Sequence, residues 1–170
     1  MILQGALFEK QNRDDEAEEA FRKALELDEQ SPAVLNYLGY MLADRNVRLE
    51  EAHGLISEAL EYEPESGAYL DSLGWVYYRM DRLEEAEQHL LRAVEKVPDD
   101  PVVRDHLGDV YSRQGKLKEA VAQWRISLQE WATSSATEKD ADHVAAIRKK
   151  IEGAEIQLAR EASGTGAGQP

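Results

Sequence analysis

An all-α solenoid of stacked helix pairs is the fold this sequence predicts, and three observations carry the prediction. Gly5, Gly39, Gly74 and Gly108 recur at spacings of 34, 35 and 34 residues. An alanine follows each at nearly the same distance, at Ala17, Ala52, Ala86 and Ala120. Self-similarity at such a period marks an array of helical units that bury their apolar faces against their neighbours. Beyond the last unit, Val144, Ile147, Ile151, Ala154 and Leu158 keep a three-four spacing, which places one apolar stripe on an otherwise charged helix.

The units follow in order. Residues 1–31 form a partial unit that keeps Gly5, Phe8, Ala17, Phe21 and Ala24. Residues 32–66 carry Leu35, Leu38, Gly39, Leu42, Ala52, Ile56, Ala59 and Pro64, with one extra residue between Asp44 and Leu49, because Gly39 to Ala52 is 13 steps where the other units have 12. The clearest unit, 67–100, reads Leu70-x-x-Leu73-Gly74-x-x-Tyr77, then Ala86, Leu90, Ala93 and Pro98. The last, 101–132, has Leu107, Gly108, Tyr111, Ala120 and Trp124. Polar, small residues predict a loop over 133–142, the apolar stripe predicts a capping helix over 143–161, and Ser163 to Pro170 reads as a disordered tail over 162–170.

Glycine in the middle of a helix costs about 1 kcal/mol relative to alanine, so Gly39, Gly74 and Gly108 are expected to offset that cost by letting a partner helix approach. Ala52, Ala86 and Ala120 supply the small face on the second helix, while Tyr77, Tyr111, Leu90 and Trp124 fill the space around them. Pro64 and Pro98 stop the second helices, and Asp99-Asp100-Pro101 gives the next helix an acidic start.

Taken together, these residues resemble the tetratricopeptide repeat, with residues 1–132 making about 3.5 repeats. The resemblance implies a right-handed superhelix of antiparallel A and B helices acting as a protein-interaction scaffold. A narrower likeness lies in Asn36-Tyr-Leu-Gly-Tyr-Met-Leu-Ala-Asp-Arg45, Tyr69-Leu-Asp-Ser-Leu-Gly-Trp-Val-Tyr-Tyr-Arg79 and His106-Leu-Gly-Asp-Val-Tyr111. These strings are similar to the C-terminal repeats of large bacterial tetratricopeptide proteins. Some of those are exported outer-membrane lipoproteins that serve as adaptors of a carboxyl-terminal processing protease. The likeness implies a bacterial source and a scaffold role.

Composition narrows the function classes. A net charge of −14 disfavours phosphate backbones and anionic membrane surfaces as partners. Met1 to Phe8 lacks the basic and apolar regions of a signal peptide, and no run of about 18 apolar residues is present to cross a membrane. Cysteine is absent, which removes disulfides and thiolate metal sites. His53, His89, His106 and His143 lack metal-ligand spacing, and the Gly164-Thr-Gly166-Ala-Gly168 string has neither the preceding strand nor the lysine of a phosphate loop. The paired glutamates at 50–51 and 84–85 start the second helices, where they complement the helix dipole. No enzyme activity, cofactor or metal is expected.

The family resemblance also places the binding residues. Groove-facing positions of helix A correspond here to Asn36, Tyr37 and Tyr40, then Asp71, Trp75, Tyr78 and Arg79, then Asp105, His106, Asp109 and Arg113. The aromatics are expected to form a platform, with Arg79 and Arg113 pairing the acidic groups or holding a ligand carboxylate. The family's clamp for acidic chaperone tails needs basic and amide residues where this chain has Tyr40, Asp71 and Asp105. The expected partner is therefore a protein or peptide with basic or apolar segments. Two further expectations stand beside it: self-association or array extension through an uncapped N-terminal end bearing Ile2, Leu3 and Leu7, and service as the substrate-presenting arm of a larger enzyme.

Overall fold

The computed structural model describes residues 2–11, 13–133 and 138–164. Among these residues lie nine helices and no strand: α1 (Ile2–Lys10), α2 (Asp14–Leu27), α3 (Pro32–Asp44), α4 (Leu49–Tyr62), α5 (Gly67–Arg79), α6 (Leu83–Lys96), α7 (Pro101–Arg113), α8 (Leu117–Thr133) and α9 (Glu138–Gly164). Of the loop expected at 133–142, residues 134–137 lie outside the described residues, and α9 begins at Glu138. Of the expected tail, residues 165–170 lie outside them.

The chain divides into two compact units, Met1–Lys96 and Val97–Pro170. In the first, α1 packs on α2, α3 on α4 and α5 on α6, and contacts of α2 with α3, α4 with α5 and α3 with α5 stack the pairs. In the second, α7 packs on α8 and α8 on α9. Helix pairs that rest on their sequence neighbours make a helical-repeat solenoid. The A helices are α1, α3, α5 and α7; the B helices are α2, α4, α6 and α8.

The glycine in each A helix sits where its B helix comes closest. A Cβ built on Gly5 would fall 2.6 Å from Phe21, on Gly39 2.6 Å from Ile56, on Gly74 2.7 Å from Leu90 and on Gly108 2.4 Å from Trp124. The alanine of each repeat, Ala17, Ala52, Ala86 and Ala120, is fully buried on the facing helix. Helix starts differ. The Asp100 side chain accepts hydrogen bonds from Val102 N at 2.8 Å and Val103 N at 3.2 Å, a full N-cap for α7. Ser31 and Ser66 occupy the same place before α3 and α5 without making that side-chain bond.

The A-to-B turns repeat as well. Asn46 (φ 55), Asp81 (φ 62) and Gly115 (φ 76) share a left-handed position. In the later turns one residue does two jobs. Arg82 N donates to Tyr77 O and its own carbonyl accepts from Ala86 N, and Lys116 does the same with Tyr111 and Ala120. Between α3 and α4 the jobs are split, since Val47 N donates to Leu42 O while the Arg48 carbonyl accepts from Ala52 N. The extra residue of the second repeat is accommodated here, and it leaves Arg48 left-handed at φ 47. That conformation costs an L-residue about 1–2 kcal/mol. Arg48 Nη2 reaches Glu18 at 2.6 Å, and Arg48 Nε lies 3.5 Å from Glu51, which offsets part of the cost.

A second regularity is a cation over a ring. Arg13 lies 4.4 Å from the Phe8 ring centre, Arg82 4.7 Å from Tyr77 and Lys116 5.3 Å from Tyr111, each pair at the same place in its repeat. The split turn of the second repeat has Leu42 and Val47 at those places instead.

Candidate functional site

In the first unit α3 and α5 hold seven of the residues expected to meet a partner. Trp75 stacks on Tyr78 with ring centres 4.8 Å apart and planes 13° from parallel. The Arg79 guanidinium lies 4.9 Å from the Trp75 ring centre, so aromatic pair and cation form one layered cluster. Arg79 is also tied to the preceding repeat. Its Nε donates to Ala43 O at 3.1 Å, its Nη2 donates to Asp44 O, and the Asp44 carboxylate lies 3.7 Å away. These are the last carbonyls of α3, where a cation complements the helix dipole; Ala43 O also accepts from Asn46 N at 2.9 Å. Arg79 thus joins two successive A helices.

Exposure within this cluster is uneven. Trp75 is 8% exposed and Asp71 is buried. Tyr40 is half-buried: desolvation, followed by the Asp44 and Asp71 carboxylates, drives its phenol far above the ordinary tyrosine range. Tyr37 is 42% exposed and lies parallel to Phe21 with centres 5.7 Å apart, an arrangement that joins α3 to α2. Tyr78 and Arg79 are half-buried, and Asp44 is exposed at the edge. Asn36 is half-buried, and its Oδ1 has no hydrogen-bond partner among the described residues. The accessible part of this face is therefore Tyr37, Tyr78, Arg79 and Asp44, with Tyr40 half-buried beside them and Trp75 beneath.

The second unit presents a different picture. Asp105 and Asp109 lie one turn apart on α7, and both point at the same ammonium. Lys150 Nζ of α9 donates to Asp105 Oδ1 at 2.8 Å and to Asp109 Oδ2 at 2.8 Å. Trp124 Nε1 of α8 donates to Asp109 Oδ1 at 3.1 Å, and the Trp124 ring centre is 5.9 Å from the same ammonium. Burial and then the Asp105 charge push Asp109 above the usual carboxylate range, with Lys150 pulling the other way. Burial works against the Lys150 charge, but Asp109 and Asp105 outweigh it and hold its pKa above the ordinary lysine value. His106 is buried, and Arg113 is exposed at the end of α7.

Lys150 was not among the residues the sequence pointed to, whereas Asp44 is one of the groove-facing positions that the family resemblance implies. For Lys150 a signal existed. It sits three residues after Ile147 and four before Ala154, both buried, so it belongs to the inner stripe of α9 rather than to its solvent face. Around it Ile147 and Ala154 pack with Leu117, Ala120, Val121 and Trp124, flanked by Leu128, Trp131, Ile151 and Leu158.

Among the described residues no group of three or more His, Asp or Glu side chains is placed to hold a metal ion, and no helix is long and apolar enough to cross a membrane. The class defined by this architecture is a helical-repeat scaffold. Models of the tetratricopeptide repeat match residues 1–31 and 41–101, together more than half of the chain. The chain belongs to the tetratricopeptide-repeat family, whose role is that of a protein-interaction module.

Solved structures agree on the fold. The APC/C hetero-tetramer Cut9–Hcn1 aligns with a TM-score of 0.81 at 18% identity over 91% of this chain, which spans 29% of the matched one. The Sgt2 TPR domain from Aspergillus fumigatus aligns at 0.65 with 18% identity, covering 82% of this chain and 85% of that one. The Yersinia enterocolitica type III secretion translocator chaperone SycD aligns at 0.64 with 14% identity, covering 73% and 91%. No curated protein of matching sequence was found.

Proposed function

We propose that this chain docks a segment of a partner protein against the exposed face of α3 and α5, with Tyr37 and Tyr78 as aromatic contacts and Arg79 and Asp44 as polar ones. The observation that carries the reading is the Trp75–Tyr78–Arg79 layer, whose buried tryptophan fixes the rings above it. Rigid aromatic side chains give large contact area at small entropic cost and are frequent hot spots. A partner with basic or apolar segments fits best, because Asp44 is 58% exposed here and the chain's net charge is −14.

The test is photocrosslinking in a lysate of the source cells, with a benzophenone amino acid placed at Tyr37 or, on a B helix, at Leu91, which is 41% exposed. A protein trapped from Tyr37 and not from Leu91, and released by Tyr78→Ala, supports the reading. Trapping from Leu91 alone would move the binding surface to the B helices and refute it.

A second reading is favoured by Leu3 (86% exposed) and Leu7 (53% exposed), one turn apart on α1. They form an apolar stripe through which copies or further repeats would pack. Light scattering across a concentration series decides this, since a constant monomer mass removes self-association.

A further inference from the structure

We infer that α9 is a charge-latched strap: its closure on α7 and α8 depends on the ammonium of Lys150 filling the space between Asp105 and Asp109, and neutralising that one group opens it. Opening would uncover the two carboxylates that the sequence reading assigns to partner contact. The inference concerns the second unit alone and does not rest on where a partner docks in the first.

The apolar contribution of α9 is small for its length. Of its 27 residues, Ile147 and Ala154 are its buried hydrophobics, while Val144, Ile151 and Leu158 are half-exposed and Ile156 is 47% exposed. Against this thin stripe stands a three-charge cluster. Asp105 and Asp109 are each 14% exposed, and Lys150 is 30% exposed. Such a cluster contributes little net stability when complete, because desolvation cancels much of the attraction. Removing one partner is another matter, since the remaining charges stay buried and uncompensated. Here the loss is compounded, because without the ammonium two carboxylates one helical turn apart repel each other beneath the strap.

Among the described residues, the other cation-forming group whose charge reaches Asp109 is His106. The groups facing the cluster are His106 on α7, which is buried, and the Trp124 indole on α8, which is already committed to Asp109. Arg125 of α8 is engaged at the solvent edge with Glu155 of α9 at 2.6 Å, an exposed pair of the kind that contributes little. The ammonium of Lys150, partly open to solvent, is therefore the charge that bonds both carboxylates and ties the thin apolar stripe of α9 to α7.

Hydrogen exchange of the full chain at neutral pH tests this with three variants: Lys150→Gln, Lys150→Arg, and the triple variant Lys150→Gln, Asp105→Asn, Asp109→Asn. Lys150→Gln should raise exchange of the α9 amides between 144 and 158 on the order of tenfold to hundredfold, while α7 and α8 keep their protection. Lys150→Arg keeps the charge and should stay near the wild type. The triple variant removes both the repulsion and the buried charge and should close the strap again. Retained α9 protection in Lys150→Gln would overturn the inference. So would a triple variant as open as Lys150→Gln, or loss of protection in α7 and α8 together with α9, which would make α9 part of one cooperative unit rather than a strap.

Discussion

Replacing Gly74 by alanine tests the packing logic of the repeat, and the structure supplies its own control. The new methyl carbon would lie 2.7 Å from Leu90 Cγ, 3.1 Å from Leu90 Cδ2 and 3.3 Å from the Ala86 carbonyl oxygen. Leu90 is fully buried, and the nearest atom is the branch point of its side chain, so rotating a methyl group away does not relieve the clash. Overpacking of this kind costs about 1–3 kcal/mol. Alanine also gains about 1 kcal/mol of helix propensity over glycine. Gly54→Ala isolates that gain: Gly54 lies within α4 of the same unit and has nothing within 4 Å of its would-be Cβ. Because the propensity gain is common to both variants, their difference in stability reports the clash, about 1–3 kcal/mol in favour of Gly54→Ala. Urea unfolding followed by far-UV circular dichroism measures both under one set of conditions. A Gly74→Ala protein as stable as Gly54→Ala would refute the claim that the glycine exists to let Leu90 approach.

Two further outcomes are expected. Burial by itself would raise the Glu18 pKa, but hydrogen bonds from Arg22 and Arg48 outweigh it and leave the folded value below the ordinary one. The stabilisation is therefore complete above the unfolded glutamate value of about 4.3 and is lost as pH falls below it and through the folded value. Glu18→Gln should remove this part of the acid dependence, and urea midpoints measured down a pH series would contradict the reasoning if the two proteins ran parallel. A double-mutant cycle of Arg82→Ala with Tyr77→Leu should return a coupling of about 0.5–1 kcal/mol for the cation over the ring. A coupling indistinguishable from zero would make that geometry incidental.

The repeat itself was open to reading in the chain because its cause is local. A glycine and an alanine at fixed spacing record how close two helices come, and Gly74 with Leu90 or Gly108 with Trp124 meet through side chains a fixed distance apart in sequence. The tetratricopeptide assignment rests on that recurrence. The expected face on α3 and α5 was legible in its membership and less so in its depth. Trp75 belongs to the aromatic group the sequence pointed to, yet its burial depends on Tyr78 lying over it and on Arg79 reaching back to the carbonyls of Ala43 and Asp44. Such contacts span 35 and 36 residues, and no pattern within one repeat encodes them.

Charges were the hardest to read because their role depends on what faces them. Arg13, Arg82 and Lys116 look like ordinary turn cations until each is seen above the aromatic ring of its own repeat. The same regularity explains the irregular turn. In the second repeat the ring position is Leu42 and the cation position is Val47, so the cation–ring contact is lost there. The additional residue brings a cation back as Arg48, displaced by one position and turned toward Glu18 of the preceding repeat. The departure from the period thus exchanges a contact within a repeat for one between repeats. Its cost is the left-handed backbone at Arg48, about 1–2 kcal/mol if nothing relieved it. Arg45 Nη1 lies 3.5 Å from the same Glu18, and Arg22 Nε is bound to it at 2.9 Å, so three arginines converge on one half-buried carboxylate. A network of that kind holds its geometry better than an isolated surface pair, and it explains why a strained residue persists at the junction of α2 with the second helix pair.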